Sequence, residues 1–120
     1  MFLDVIPKLP MRDRLKTKRY YIDLLGFEEV GDYGNYLLVK RDGIEIHFFE
    51  FIGLNPYEND GQVYIRLNEI DQFYKELQAN NVPIHPNGHL ENKPWGQQEF
   101  SLLDPDHNLL TFGQQLDAPI

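Results

Sequence analysis

The chain has 120 residues, 42% of them apolar and 13% aromatic, no cysteine, and 19 acidic against 11 basic residues for a formal charge of −8. The lack of cysteine excludes disulfides and thiolate chemistry, the acidic balance argues against nucleic acid, whose binders carry the opposite sign on their contact face, and no apolar run approaches the ~20 residues of a membrane span. Such a length suits one compact domain, or two half-domains sharing a core. The opening Met1-Phe2-Leu3-Asp4-Val5-Ile6 has neither the basic region nor the long apolar stretch of a secretory signal, so the cytoplasm is the expected location.

Residues 2–9 alternate loosely and end at Pro10, which predicts a first strand. Asp13 can cap a helix carrying Leu15, Tyr20, Tyr21, Leu24 and Leu25 that stops at Gly26. Strands are then expected at 27–30, 36–40 and 44–50, separated by the turn residues Gly-Asp-Tyr-Gly-Asn and Arg-Asp-Gly. The first half therefore reads βαβββ. The segment 51–61, with Gly53, Asn55, Pro56 and Gly61, is the expected linker and too short to separate the halves far.

The second half repeats the order. A strand at 63–67 leads to Asn68 as the expected cap of a helix with Ile70, Phe73, Tyr74 and Leu77 at helical spacing, ended by Asn80-Asn81-Val82-Pro83. Strands are expected near 84–89, 98–103 and 108–112. The organisation is thus a single 1–120 domain with a first module at 1–50, the linker, a second module at 62–114 and a tail at 115–120. The fold class is α+β. Overlaying the halves places Ile6 on Gln62 in the opening strands and His47 on Thr111 in the closing ones, with little residue identity between them.

Few residues offer chemistry of their own. There is no glycine-rich phosphate loop, and the only serine, Ser101, lies in a predicted strand. His85 and His89 are four apart, but Pro86 and Gly88 between them exclude the continuous helix of a zinc-binding pair. His107 sits in a turn and is expected to face solvent, and the carboxylates of Glu28, Glu29, Asp104 and Asp106 are expected to be solvated surface groups.

Several short stretches, weak singly, are specific in their order: Leu9-Pro10-Met11-Arg12-Asp13, Tyr20-Tyr21 with Leu25-Gly26-Phe27, Phe48-Phe49, Gly53-Leu54-Asn55-Pro56, Arg66-Leu67, Phe73-Tyr74, Trp95-Gly96, and Asp104-Pro105-Asp106 with Leu109-Leu110. Over nearly its whole length the chain resembles the vicinal oxygen chelate superfamily of glyoxalases, extradiol dioxygenases and bleomycin resistance proteins, and within it the bleomycin resistance proteins most. The resemblance implies paired βαβββ modules forming a cupped mixed sheet, and a homodimer in which both subunits complete each cleft. It also implies possible exchange of the N-terminal strand at Pro10, a residue that could serve as its hinge.

In metal-dependent members the ligands come from the first and last strands of each module, positions that correspond here to Ile6, His47, Gln62 and Thr111. Only His47 is a good ligand, since isoleucine has no donor atom and glutamine and threonine are weak neutral donors. No metal and no cofactor are therefore expected. His47 reads as a cleft or core-pairing histidine.

A cleft with aromatic walls can hold a planar ligand by stacking, and Tyr33, Tyr36, Phe49, Trp95 and Phe112 are the candidate walls. Bleomycin-type antibiotics carry a flat bithiazole and a cationic tail. Aromatic faces would take the first, while Asp32 and the acidic field attract the second. By resemblance Trp95 matches a cleft tryptophan and Tyr36 a second aromatic position, whereas Gly31 stands where a relative places a larger aromatic and Asn35 beside it is polar. The expected function is non-catalytic sequestration of a small cationic or aromatic ligand. The alternatives are a superfamily enzyme with an atypical metal site around His47 and Gln62, or a binding module for another small aromatic metabolite.

Overall fold

The computed structural model of the chain describes residues 1–117; the rest of the expected tail, 118–120, lies outside the described residues. The chain is α+β and forms two compact units, one of Met1–Gly61 with Asp104–Asn108, the other of Gln62–Leu103 with the described residues from 109 to 117. The first unit contains β1 (Lys8–Met11), α1 (Arg14–Lys18, continued by a π turn over Arg19–Leu24), β2 (Glu28–Asp32), β3 (Tyr36–Arg41) and β4 (Ile44–Glu50). The second contains β5 (Gln62–Arg66), α2 (Ile70–Ala79), β6 (Glu91–Asn92), β7 (Gln97–Leu103) and β8 (Leu109–Gln115).

Both four-stranded sheets share one plan, β1-β4-β3-β2 and β5-β8-β7-β6. In each, the first strand runs parallel to the last and the other pairs are antiparallel. Lys8 lies opposite His47 and Tyr64 opposite Thr111. The two pairs occupy equivalent positions when Ile6 is overlaid on Gln62 and His47 on Thr111.

Period-two alternation sends Leu37 and Val39 of β3 and Ile46 and Phe48 of β4 into the first core, where they meet Tyr20, Tyr21 and Leu25. Asp13 caps α1 as expected, its Oδ1 accepting from the N–H groups of Leu15 (3.0 Å) and Lys16 (3.3 Å). The helix then widens, with Leu25 N–H donating to Tyr20 C=O at 3.0 Å. The extra residue in that turn lets the adjacent Tyr20 and Tyr21 both face inward, and leaves Leu24, expected on the apolar face, 39% exposed. Asp42 and Gly43 (φ 50° and 86°) form the two-residue turn between β3 and β4.

Pro10 does not end the first strand, which starts later than expected and runs through it. Pro7 and Met11 turn their carbonyls to β4, accepting from His47 N–H (3.1 Å) and Phe51 N–H (2.8 Å), so Pro10, out of step with them, points its donor-less nitrogen off the sheet edge. An edge strand tolerates proline there, and the outward Pro10 carbonyl accepts from Asn108 Nδ2 at 3.0 Å.

Asp104 and Asp106 are buried, at 3% exposure each, contrary to the solvated expectation. The turn that carries them belongs to the first unit. Asp104 accepts from Tyr21 Oη (2.7 Å) and Asn108 Nδ2 (2.8 Å) on one oxygen and from the N–H groups of Asp106 and Asn108 (both 2.9 Å) on the other. Arg12 Nε donates to Asp106 at 2.7 Å. The expected linker is part of the same unit, because Asn59 Nδ2 donates to Asp106 C=O (3.0 Å) and Asn108 Oδ1 (2.8 Å). His107 adopts φ 63° and sets its ring against Tyr57 at 5.1 Å.

In the second unit Phe100, Leu102, Leu110 and Phe112 cover the face beneath α2, with Ile70 and Leu77 buried above them. Asn68 is not the cap of α2. Glu69 occupies that position at φ 56° without a side-chain bond, and Ile70 N–H is satisfied by Gln114 Oε1 at 2.8 Å. Nor do residues 84–89 form a strand. His85 N–H and the Gly88 carbonyl each bond Ser101 at 2.9 Å, but Pro83 and Pro86 lack the donors of a continuous ladder, and pairing with β7 is regular only at Glu91 and Asn92. No helix among the described residues is long and apolar enough to cross a membrane.

Candidate ligand site

With one face of each sheet under its helix, the same alternation leaves the other open. On the first unit this open face carries Lys8, Tyr36, Leu38, Glu45, His47 and Phe49. Tyr36 sits opposite Phe49 in the ladder, and its hydroxyl is 2.9 Å from His47 Nδ1. His47 Nε2 lies 2.5 Å from Glu45 Oε2. A carboxylate can only accept, so Nε2 carries its proton toward Glu45, and in the neutral ring Nδ1 is the acceptor that faces the Tyr36 hydroxyl. The Lys8 ammonium stands over the Tyr36 ring, 5.5 Å from its centroid. Both nitrogens of His47 are engaged, and no group of three or more His, Asp or Glu side chains among the described residues is placed to hold a metal ion.

Tyr33 is 73% exposed yet not loose over solvent. A Cβ added at Gly31 would stand 3.1 Å from Tyr33 Cε2 and 3.6 Å from Leu38 Cδ1, so the Tyr33 ring folds back over the glycine. It takes the space that a larger side chain at 31 would fill. Asp32 turns instead to α1, where it pairs with Arg14 and with Lys18 at 3.2 Å. The Gly34 N–H, then Lys18 and Arg14, pull its carboxyl down to about 2. Its charge is therefore balanced within the chain.

The open face of the second unit is built around Glu99. Its Oε2 accepts from Trp95 Nε1 (2.9 Å) and from Tyr64 Oη (2.7 Å), and the residue as a whole is 7% exposed. Burial and Glu99 together push the Tyr64 hydroxyl above its ordinary range, so it remains a donor at neutral pH. Tyr64 reaches Glu99 only because residue 113 is glycine, where a Cβ would lie 2.0 Å from Tyr64 Oη. Trp95 is 63% exposed, with the Lys93 ammonium 5.9 Å from its ring centroid. Phe112 lies in the core, stacked on Phe100 at 5.1 Å and against Phe73 at 5.2 Å. Its ring backs the sheet from the helix side.

The sequence of residues 1–119 matches the family described as glyoxalase superfamily protein. The chain belongs to the glyoxalase superfamily. Among curated relatives of this superfamily member, the bleomycin resistance protein of Geobacillus stearothermophilus is 29% identical over 97% of this chain and 99% of its own length. Among solved structures, the bleomycin resistance determinant encoded on transposon TN5 superposes with a TM-score of 0.86 at 27% identity, covering 95% of this chain and 98% of its own. A bleomycin-binding protein complexed with bleomycin gives 0.85 at 27% identity over 95% and 99%.

In this superfamily member the polar partners that organise the two open faces, Glu45, Tyr64 and Glu99, escaped sequence reasoning. The available signals were modest. Gly113 inside a strand marks a close approach, and Gln97 and Glu99 alternate with the apolar positions of β7, which places them on the face opposite Phe100.

Proposed function

We propose that the protein binds bleomycin-type antibiotics and confers resistance by sequestering them without chemical change. The observation that carries this reading is the near full-length likeness to a bleomycin-binding protein complexed with bleomycin. Exposed aromatic rings on each open face support it. Tyr33, Tyr36 and Phe49 supply stacking surface on the first unit, with the Tyr36 oxygen, oriented by His47, accepting from ligand N–H groups. Trp95 supplies the surface on the second and Phe112 supports its sheet from behind; the net charge of −8 draws the cationic part of the drug, Asp32 being already paired with Arg14 and Lys18. We place this action in the cytoplasm and in a homodimer.

Titrating bleomycin into the protein by calorimetry, with Trp95 fluorescence followed in parallel, tests the reading. Saturable binding near one ligand per chain is expected, weakened at least about tenfold in Trp95→Ala, the typical cost of losing an aromatic anchor. Absence of both heat and quenching at high drug concentration would sink it.

A further inference from the structure

Tyr36, His47 and Glu45 lie within the first unit, on its open face, and form one directed chain of hydrogen bonds. The Tyr36 hydroxyl stands 2.9 Å from His47 Nδ1, and His47 Nε2 stands 2.5 Å from Glu45 Oε2. The order is that of a nucleophile, a base and an orienting carboxylate, which activates hydroxyl and thiol nucleophiles on unrelated folds. Among the described residues no other tyrosine hydroxyl is bonded to a histidine: Tyr21 and Tyr64 donate to carboxylates, and Tyr20 Oη is buried without a partner. The side chains of His47 and Glu45 are 16% and 23% exposed, so the chain is reachable from the open face yet partly shielded from water. Lys8, opposite His47 in the ladder, adds an exposed ammonium over the Tyr36 ring.

We propose that Tyr36 is a nucleophile that takes acyl groups from activated esters, with His47 as its base. The Tyr36 oxygen attacks the ester carbonyl as its proton passes to His47 Nδ1, while the Nε2 proton stays with Glu45. Negative charge gathers on the former carbonyl oxygen, which the Lys8 ammonium attracts. Collapse of this intermediate breaks the bond to the leaving group, which takes the Nδ1 proton, and leaves acyl-Tyr36 beside a neutral His47. Water then attacks the acyl carbon and gives one proton to Nδ1, and that proton returns to the Tyr36 oxygen as the carboxylic acid departs. A phenol ester is itself an activated ester, so transfer to Tyr36 runs downhill only from donors whose leaving group is better than a phenol. Aryl esters of acidic phenols qualify and alkyl esters do not. The inference goes beyond drug sequestration and does not rest on it.

Mixing the protein with excess p-nitrophenyl acetate should release a burst of p-nitrophenolate near one per chain, because the acetyl-tyrosine formed is the poorer acyl donor and its hydrolysis the slower step. Acid-quenched protein should carry an acetyl group on Tyr36, located by peptide mass mapping and removed by hydroxylamine, which cleaves phenol esters and spares lysine amides. Ethyl acetate should leave Tyr36 unlabelled. With near-ultraviolet circular dichroism checking each fold, Tyr36→Phe should abolish the burst and His47→Gln should slow it about a hundredfold. Glu45→Gln should slow it about tenfold at an unchanged half-saturating ester concentration, and Lys8→Met roughly tenfold, since a solvated ammonium is worth less than a buried oxyanion donor. An acetyl group on Lys8 or His47 in place of Tyr36, or a burst that persists in Tyr36→Phe, overturns the proposal; should that variant not fold, a wild-type rate in His47→Gln does so. Calorimetry with bleomycin on the wild type separates the two readings. Drug binding without acetyl-Tyr36 defeats only the acyl transfer, and acetyl-Tyr36 without drug binding defeats only the sequestration.

Discussion

Asp104 holds four donors on two oxygens, and an asparagine there would turn an NH2 group toward Tyr21 and Asn108. Asp104→Asn is expected to lose about 3 kcal/mol in urea unfolding, because two buried donors are stranded together. Burial raises the Asp104 carboxyl above its ordinary value while Tyr21 and Asn108 pull it back. A raised carboxyl binds its proton more tightly in the folded chain, so lowering the pH relieves a cost that ionisation imposes near neutrality. Asp32 has the opposite sign. Its folded value near 2 lies below the unfolded one of about 3.9, so its contribution is present above about pH 4 and vanishes as pH falls through about 2. Asp32→Asn should flatten the acid limb of the stability curve, measured as melting temperature against pH; an unchanged limb would refute this. Composition cannot tell these two aspartates apart, since their difference lies in which groups the fold brings to each.

Among the elements, the helix start of the second unit illustrates how local and distant signals divide. Spacing of Ile70, Phe73, Tyr74 and Leu77 was enough to locate α2, because burial of one helical stripe is written in the period. The partner of its first N–H was not, because Gln114 lies 44 residues away. Gln114→Ala should cost about 1 kcal/mol in thermal or urea unfolding, the usual worth of one such bond, whereas Asn68→Ala should leave stability nearly unchanged. The reverse ranking would restore Asn68 as the cap. Pro10 and the 84–89 segment diverged from expectation for a related reason. A proline's effect depends on whether its nitrogen faces a neighbouring strand or the sheet edge, and that is decided by pairing partners.

For the whole molecule, two sheets each with an open face bearing exposed rings are a surface that a lone small domain seldom leaves bare. Sedimentation of the purified protein should therefore give about twice the 14.2 kDa chain mass, and a single-chain mass at micromolar concentration would refute the dimer. The paired βαβββ order, the acidic balance and most strand positions could be read directly, because period-two alternation, caps and turn residues act over a few neighbours. The strand order and the parallel first-to-last pairing came from the sheets themselves. The Tyr36–His47–Glu45 chain, the fold-back of Tyr33 over Gly31, and the Glu99 carboxylate between Trp95 and Tyr64 emerged only in three dimensions. Hydrogen-bond partners on a sheet face are set by register and by backbone approach at a glycine, and neither quantity is encoded in residue type alone.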